Sequence, residues 1–254
     1  MTDSCYPLIF TRTKYIDYRL LAVPEFLKGD PAEDLIWDKV TSLCSVDGYR
    51  GELVGRRPHV LRLGDYVVFG LATGEFGHID AGGRKIRGYY GIMFPKECAA
   101  RLDINKIDWP YVDEKYVKSV FETENTKSLY APPDLKLSDI IFTYSGANRR
   151  KFSFNADKRY IGVIGANKTN APESLYELLH EALASAGQTP GFELVVGVNF
   201  LRHAEEIEAL NAVSYDCPND GLYSLQERKH ISKPSAGKLS FFKDLLIRMN
   251  ILKE

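Results

Sequence analysis

The chain has 254 residues, 44% of them hydrophobic and 26% charged, a length that buries a core without staples and a composition that excludes disordered, collagen-like and repeat classes. Its 33 basic and 34 acidic residues leave a formal net charge of -1, so no global field draws it to nucleic acid or an anionic membrane, and such a partner must be met by a local patch. Cys5, Cys44, Cys98 and Cys217 form no CxxC pair, the N-terminal apolar run is too short for a signal peptide, and no stretch reaches the length of a spanning helix, which predicts reduced thiols, a cytoplasmic setting and no membrane role.

Residues 6–23 combine aromatic, β-branched and leucine positions around TRTK, predicting one or two strands. GDPAEDLIWDKVTSLCS then opens a helix. Asp30 fits its N-cap, Pro31 its first turn and Glu33 the reciprocal capping position, with Leu35, Ile36, Val40 and Leu43 as the apolar stripe. From Gly51 to Phe94 the runs HVLRL, YVVFGLAT and KIRGYYGIMF are split at Gly64-Asp65, Gly74 to Gly77 and Gly82-Gly83, the pattern of an antiparallel meander. PKECAARL and PYVDEKYVKSVFETE follow as predicted helices, the second opened by Asp108 and Pro110. NTKSLYAPPDLKLS, residues 125–138, is the best linker, because paired prolines continue neither a helix nor a central strand.

Beyond the linker, DIIFTYSG, KFSFN and RYIGVIGA predict three strands, and APESLYELLHEALASAG a helix ended by Gly187. FELVVGVNF is a buried strand and RHAEEIEAL a helix, an alternation over residues 160–216 that predicts parallel βαβ packing. Residues 217–238 lack a pattern, and LSFFKDLLIRMNIL closes the chain as an amphipathic helix with Phe241, Phe242, Leu245, Leu246 and Met249 on one face. The expected fold class is therefore α+β: a mostly antiparallel, β-rich half with helices over residues 1–130, then a mixed βββαβαβ-like half over residues 131–254, with one continuous domain left open.

Two purine-nucleotide signatures overlap at YIGVIGANKTN. GVIGANKT, from Gly162 to Thr169, matches the phosphate-loop pattern GxxxxGK[ST] except that Asn167 replaces the second glycine. Such a loop puts its lysine and hydroxyl into the first helical turn, whereas Asn170, with Pro172 and Glu173 behind it, caps a helix that starts after Lys168 and Thr169. IGANKTN is similar to the guanine-reading NKxD of GTPases, but Asn170 replaces the aspartate that accepts hydrogen bonds from the base. Both versions fail at the residue that carries the chemistry, which leaves nucleotide binding by a degenerate NKTN loop as a second alternative, and GGRKIRGYYG opens no helix and so is a hairpin rather than a dinucleotide loop. No cofactor is expected.

Asp216 or Asp220 with Glu227 and Lys229 gives a D…ExK-like set, in which carboxylates would hold a metal and the lysine orient water for phosphodiester cleavage. It lies where no strand is predicted, so the nuclease is the alternative reading. The five histidines form no metal-spaced pair, and nothing around Cys217 predicts a lowered thiol pKa.

Charge is most uneven over residues 49–96, where the eight cations Arg50, Arg56, Arg57, Arg62, Arg84, Lys85, Arg87 and Lys96 meet only Glu52, Asp65, Glu75 and Asp80. Tyr49, Tyr89 and Tyr90 are interleaved, and Arg149, Arg150 and Lys151 add a basic turn. Cations hold a phosphate backbone while exposed rings stack bases. The favoured expectation is a non-enzymatic binding or adaptor protein. Arg56, Arg57, Arg84, Lys85, Arg87, Tyr89 and Tyr90 would bind a protein partner or, through the local patch, nucleic acid, with the terminal helix as a second docking element.

Overall fold

A computed structural model describes residues 5–44, 56–73, 79–104, 121–122, 124, 154, 160–165, 171–197, 211–217, 221–224 and 229–230. Strands β1 (Tyr6–Thr11) and β2 (Arg19–Ala22) precede helix α1 (Pro31–Cys44). Strands β3 (Arg56–Leu63), β4 (Tyr66–Thr73) and β5 (Gly88–Pro95) form the expected meander. Then come β6 (Tyr160–Gly165), α2 (Ala171–Gln188), β7 (Glu193–Gly197), β8 (Asn211–Cys217), β9 (Gly221–Ser224) and β10 (Lys229–His230). Among the described residues they make one mixed sheet of ten strands in the order β10-β9-β6-β8-β7-β3-β4-β5-β1-β2. The class is α+β.

Local signals set the start of α1. Asp30 Oδ1 accepts the Ala32 N–H at 2.8 Å, and Glu33 reaches back to the Gly29 N–H at 2.7 Å. Two amide donors that would otherwise be orphaned are thereby satisfied, the acidic arm landing one residue before the cap. Ile36, Val40, Leu43 and Cys44 are buried along the helix, whereas Leu35 is 42% exposed. The stripe expected from Leu35 is thus rotated by one position, because spacings of four, three and one already fill the face that meets the sheet.

The turn between β3 and β4 uses Gly64 at φ 54° in register with the Leu63–Tyr66 pair, a backbone state open to glycine without strain. PKECAARL forms the expected helix as a 3-10 helix, Lys96–Arg101. Its Lys96 carbonyl explains Gly187, where a Cβ would meet that oxygen at 3.0 Å. Gly187 therefore serves close approach within α2 and does not end the helix, which runs on to Gln188.

The pleat divides neighbouring residues between two cores. Leu61, Val68, Met93 and Val195 pack with Ile36, Val40 and Leu43 of α1, while Val60, Val67, Ile92 and Leu194 pack with Leu178, Ala182 and Leu183 of α2. Each fully buried aliphatic or aromatic side chain contributes about 1.5–3 kcal/mol. With both faces covered, successive residues of a central strand are all interior, and β5 is buried from Gly88 through Phe94.

The sheet crosses the boundary expected near residue 130. His59, Val60 and Leu61 of β3 pair antiparallel with Val195, Leu194 and Glu193 of β7. β6, β8 and β7 run parallel, with β8 between the two strands that α2 connects, as the βαβ alternation predicts. Residues 217–238, expected to be irregular, instead supply the end of β8 together with β9 and β10. The linker at 125–138, DIIFTYSG, all of KFSFN but Phe154, the helices at 202–210 and 239–252 and most of that at 110–124 lie outside the described residues.

Candidate functional site

The strands bring four polar side chains together beneath α1. His59 of β3 is 1% exposed, with Nε2 at 3.3 Å from Glu193 Oε1 and Nδ1 at 3.2 Å from the Tyr89 hydroxyl. Lys39 of α1 donates to Glu193 Oε2 at 2.7 Å. Asn211 Nδ2 donates to the Glu193 carbonyl at 2.9 Å. Burial alone would raise the Glu193 carboxyl, but the hydrogen bond and charge of His59 and the charge and hydrogen bond of Lys39 outweigh it and hold the group at about 2.

Tyr89 stays a phenol, because burial pushes its pKa up, with the Cys44 and Glu193 charges adding to that. The ring lies directly on Gly70, where a Cβ would fall 2.1 Å from its oxygen. Nε2 meets the Glu193 carboxylate and Nδ1 the Tyr89 hydroxyl, so both ring nitrogens are engaged. The cluster fastens α1 to β3, β5 and β7 and presents no open imidazole nitrogen to a substrate.

These positions correct part of the expected binding surface. Arg57, Tyr89 and Tyr90 are buried, so Tyr89 and Tyr90 are not available to stack bases; both covers of the sheet close over β5. Arg57 Nη1 donates to the Leu43 carbonyl at the end of α1, 3.4 Å away. Arg62 donates from Nη1 to the Ala186 and Gly187 carbonyls at 2.9 and 2.8 Å, and from Nε to the Gly64 carbonyl. It caps α2, whose last carbonyls lack intrahelical donors. Lys96 is paired with Asp65 at 2.6 Å and draws that carboxyl below its usual range. Arg56 lies on β3 opposite Thr73, and its side chain, like the whole of Arg50, Arg149, Arg150 and Lys151, is outside the described residues.

Arg84 and Lys85 are exposed and Arg87 is half-buried, in the segment leading into β5. Asp80 builds the turn that carries them. Its Oδ1 accepts the Gly82 and Arg84 N–H groups, each at 2.9 Å, and its Oδ2 accepts from Arg84 Nε at 2.8 Å and Arg12 Nη1 at 3.4 Å. The Arg84 backbone hydrogen bond is the main cause that lowers the Asp80 pKa. Arg12 belongs to the chain just after β1, so one carboxylate ties two distant cations together.

Tyr18 provides the second tie. The Arg87 and Arg12 guanidinium carbons lie 5.3 and 5.7 Å from its ring centroid, and its hydroxyl accepts the Arg87 N–H at 3.2 Å. Behind it Phe10 stacks at 5.8 Å and Trp37 meets Phe10 edge-on at 5.3 Å. Thr13 Oγ1 accepts the Tyr15 and Ile16 N–H groups at 3.0 and 2.8 Å, folding a tight turn that leaves Tyr15 54% exposed with Lys14 Nζ 5.6 Å from its centroid. The aromatic partners of the basic residues are therefore Tyr15 and Tyr18. Their signal stands in TRTKYIDYR, where cations and tyrosines alternate, but a strand pattern accounts for the same stretch and hides it.

Protein-family models, curated proteins and solved structures were all compared with this chain, and none of them matches. The site therefore stands on its geometry.

Asp216 and Lys229 do not meet. Lys229 is level with Ser224, Tyr160 and Asn211 across the sheet, while Asp216 is five residues further along β8. At about 3.3 Å per residue and three strand spacings of about 4.8 Å, their Cα atoms are roughly 20 Å apart. That exceeds the reach of one metal-bound phosphate. Asp220 and Glu227, like the asparagines at 167–170, lie outside the described residues. Helix α2 opens at Ala171, the start expected from an Asn170 cap. Among the described residues no three His, Cys, Asp or Glu side chains are grouped to hold a metal, and no helix is long and apolar enough to cross a membrane.

Proposed function

We propose that the protein is a non-enzymatic binding module that engages an acidic macromolecular partner through Arg12, Arg84, Arg87 and their tyrosines. The carrying observation is convergence: two segments about seventy residues apart in sequence deliver three guanidiniums to one tyrosine and one carboxylate. Three cations against Asp80 leave a local excess of positive charge on a protein whose net charge is -1, which is the condition for steering a polyanion to one place. Arginine suits the task because its planar fork binds carboxylate or phosphate through two parallel hydrogen bonds. The cytoplasmic setting belongs to the same reading. It is supported by Cys5, Cys44 and Cys98, which are buried as thiols rather than bridged, with burial pushing Cys5 up to about 12.

The test is retention on heparin and binding to labelled polyglutamate by the full chain, measured against salt. The wild type is expected to bind both at low salt, and Arg84→Glu with Arg87→Glu to abolish binding while the protein still unfolds cooperatively. Wild-type protein that binds neither polyanion, or a double variant that binds as well as wild type, overturns the reading.

A further inference from the structure

We infer that the acidic partner of this surface is a single-stranded nucleic acid, with phosphates on Arg12, Arg84 and Arg87 and an unpaired base on Tyr15. The inference rests on the binding reading above and adds a ligand class to it. Cations alone would suit any polyanion. What distinguishes this patch is an exposed ring on the turn that joins Arg12 to Tyr18.

Tyr15 is 54% exposed and Ile79, beside Asp80, is 62% exposed. The backbone of each is tied. Ile79 pairs with Lys85 in an isolated bridge, and the Thr13 hydroxyl holds the turn that carries Tyr15. Lys14 also receives backbone support, its N–H donating to the Phe121 carbonyl at 2.8 Å. An exposed ring beside Lys14, on the turn that follows Arg12, matches a base, which has a π face next to its phosphate; an acidic peptide has none.

Single strands fit better than duplex for the same reason. A base inside a helix is already stacked on both faces and offers Tyr15 nothing, whereas an unpaired base gains a stacking partner. The arginines contribute phosphate contacts whose planes are pre-set by Tyr18, since two guanidiniums share that ring. Carboxylates oppose them nearby: Asp80 bonds Arg12 and Arg84, and Glu122 lies 3.7 Å from Lys14. The site is therefore expected to bind at low to moderate salt rather than through raw charge.

The experiment is fluorescence anisotropy of the full chain with a labelled 15-nucleotide oligothymidine, the same length of mixed-sequence duplex, and polyglutamate. Three phosphate contacts predict a log–log salt slope of about -2 for the single strand, falling by about 0.7 when Arg87 becomes Ala. Tyr15→Ala is expected to weaken oligothymidine binding about tenfold and to leave polyglutamate binding and the far-ultraviolet spectrum unchanged. Oligothymidine binding that Tyr15→Ala leaves intact, or tighter binding of duplex or polyglutamate than of the single strand, overturns the nucleic-acid inference while the polyanion reading survives. Failure to bind any of the three overturns both.

Discussion

Removing the Glu193 carboxylate tests the buried cluster most directly. Glu193 is held at about 2 against an ordinary value of 4.5, and each tenfold change in proton affinity corresponds to about 1.36 kcal/mol. The ionised form therefore contributes about 3 kcal/mol to folding, close to the roughly 3–5 kcal/mol lost when one partner of a buried pair is deleted. The pKa is lowered on folding, so the contribution is fully present above the unfolded-state value. It is lost as pH falls from about 4.5 toward 2.

Glu193→Gln keeps the shape and removes the charge. Urea unfolding of wild type and variant is to be compared at pH 7, 4 and 2.5. A gap of about 3 kcal/mol is expected at pH 7, narrowing steadily on acidification because exposed carboxylates such as Asp65 titrate equally in both proteins. Lys39→Met adds a control through a double-mutant cycle, as its ammonium donates to the same carboxylate at 2.7 Å. Equal midpoints at pH 7, or a gap that stays constant down to pH 2.5, would refute the ion-pair account of this cluster.

Gly70→Ala should be among the most damaging single changes, at about 1–3 kcal/mol or more, because its methyl would occupy the place of the Tyr89 hydroxyl; thermal unfolding measures it. Tyr89→Phe removes the hydroxyl paired with His59 Nδ1 and should destabilise by about 1–3 kcal/mol in the same assay, since a buried ring nitrogen is left unpaired. Asp30→Ala should lower stability by about 1 kcal/mol through loss of the α1 cap, with faster amide exchange confined to the first helical turn.

What was legible in the sequence was local. Asp30, Pro31 and Glu33 state a helix start within four residues, and Gly64-Asp65 states a turn within two, so neither depends on distant chain. The identity of the interior was not local. Tyr89 and Tyr90 read as a surface pair because a strand with one wet face must expose one of them; β5 has no wet face there, and both are buried. Gly187 carried a helix-stop signal that α2 overrides, its real constraint being the carbonyl of Lys96. His59 and Glu193 are 134 residues apart, and no periodicity in either segment connects them. Leu35 fell one helical position outside the stripe that Ile36, Val40 and Leu43 define.

The arginines show why counting charge is not enough, since their acceptors decide what each does. Arg62 and Arg57 direct their N–H groups to backbone carbonyls, and Arg84 meets Asp80. The Arg87 guanidinium is placed by the Tyr18 ring, 5.3 Å from its centroid. A carboxylate would position that cation and cancel it; a π face positions it and leaves its charge and its donor edge for a ligand. This difference can be measured. Tyr18→Phe keeps the face and Tyr18→Leu removes it while keeping apolar contact with Phe10, so Tyr18→Leu should weaken polyanion binding about two- to fivefold, the equivalent of about 0.5–1 kcal/mol for a cation over a ring. Tyr18→Phe should stay near wild type, losing only the hydroxyl that accepts the Arg87 N–H. If the two variants bind alike, Tyr18 fills space behind the surface and Arg87 is positioned by something else.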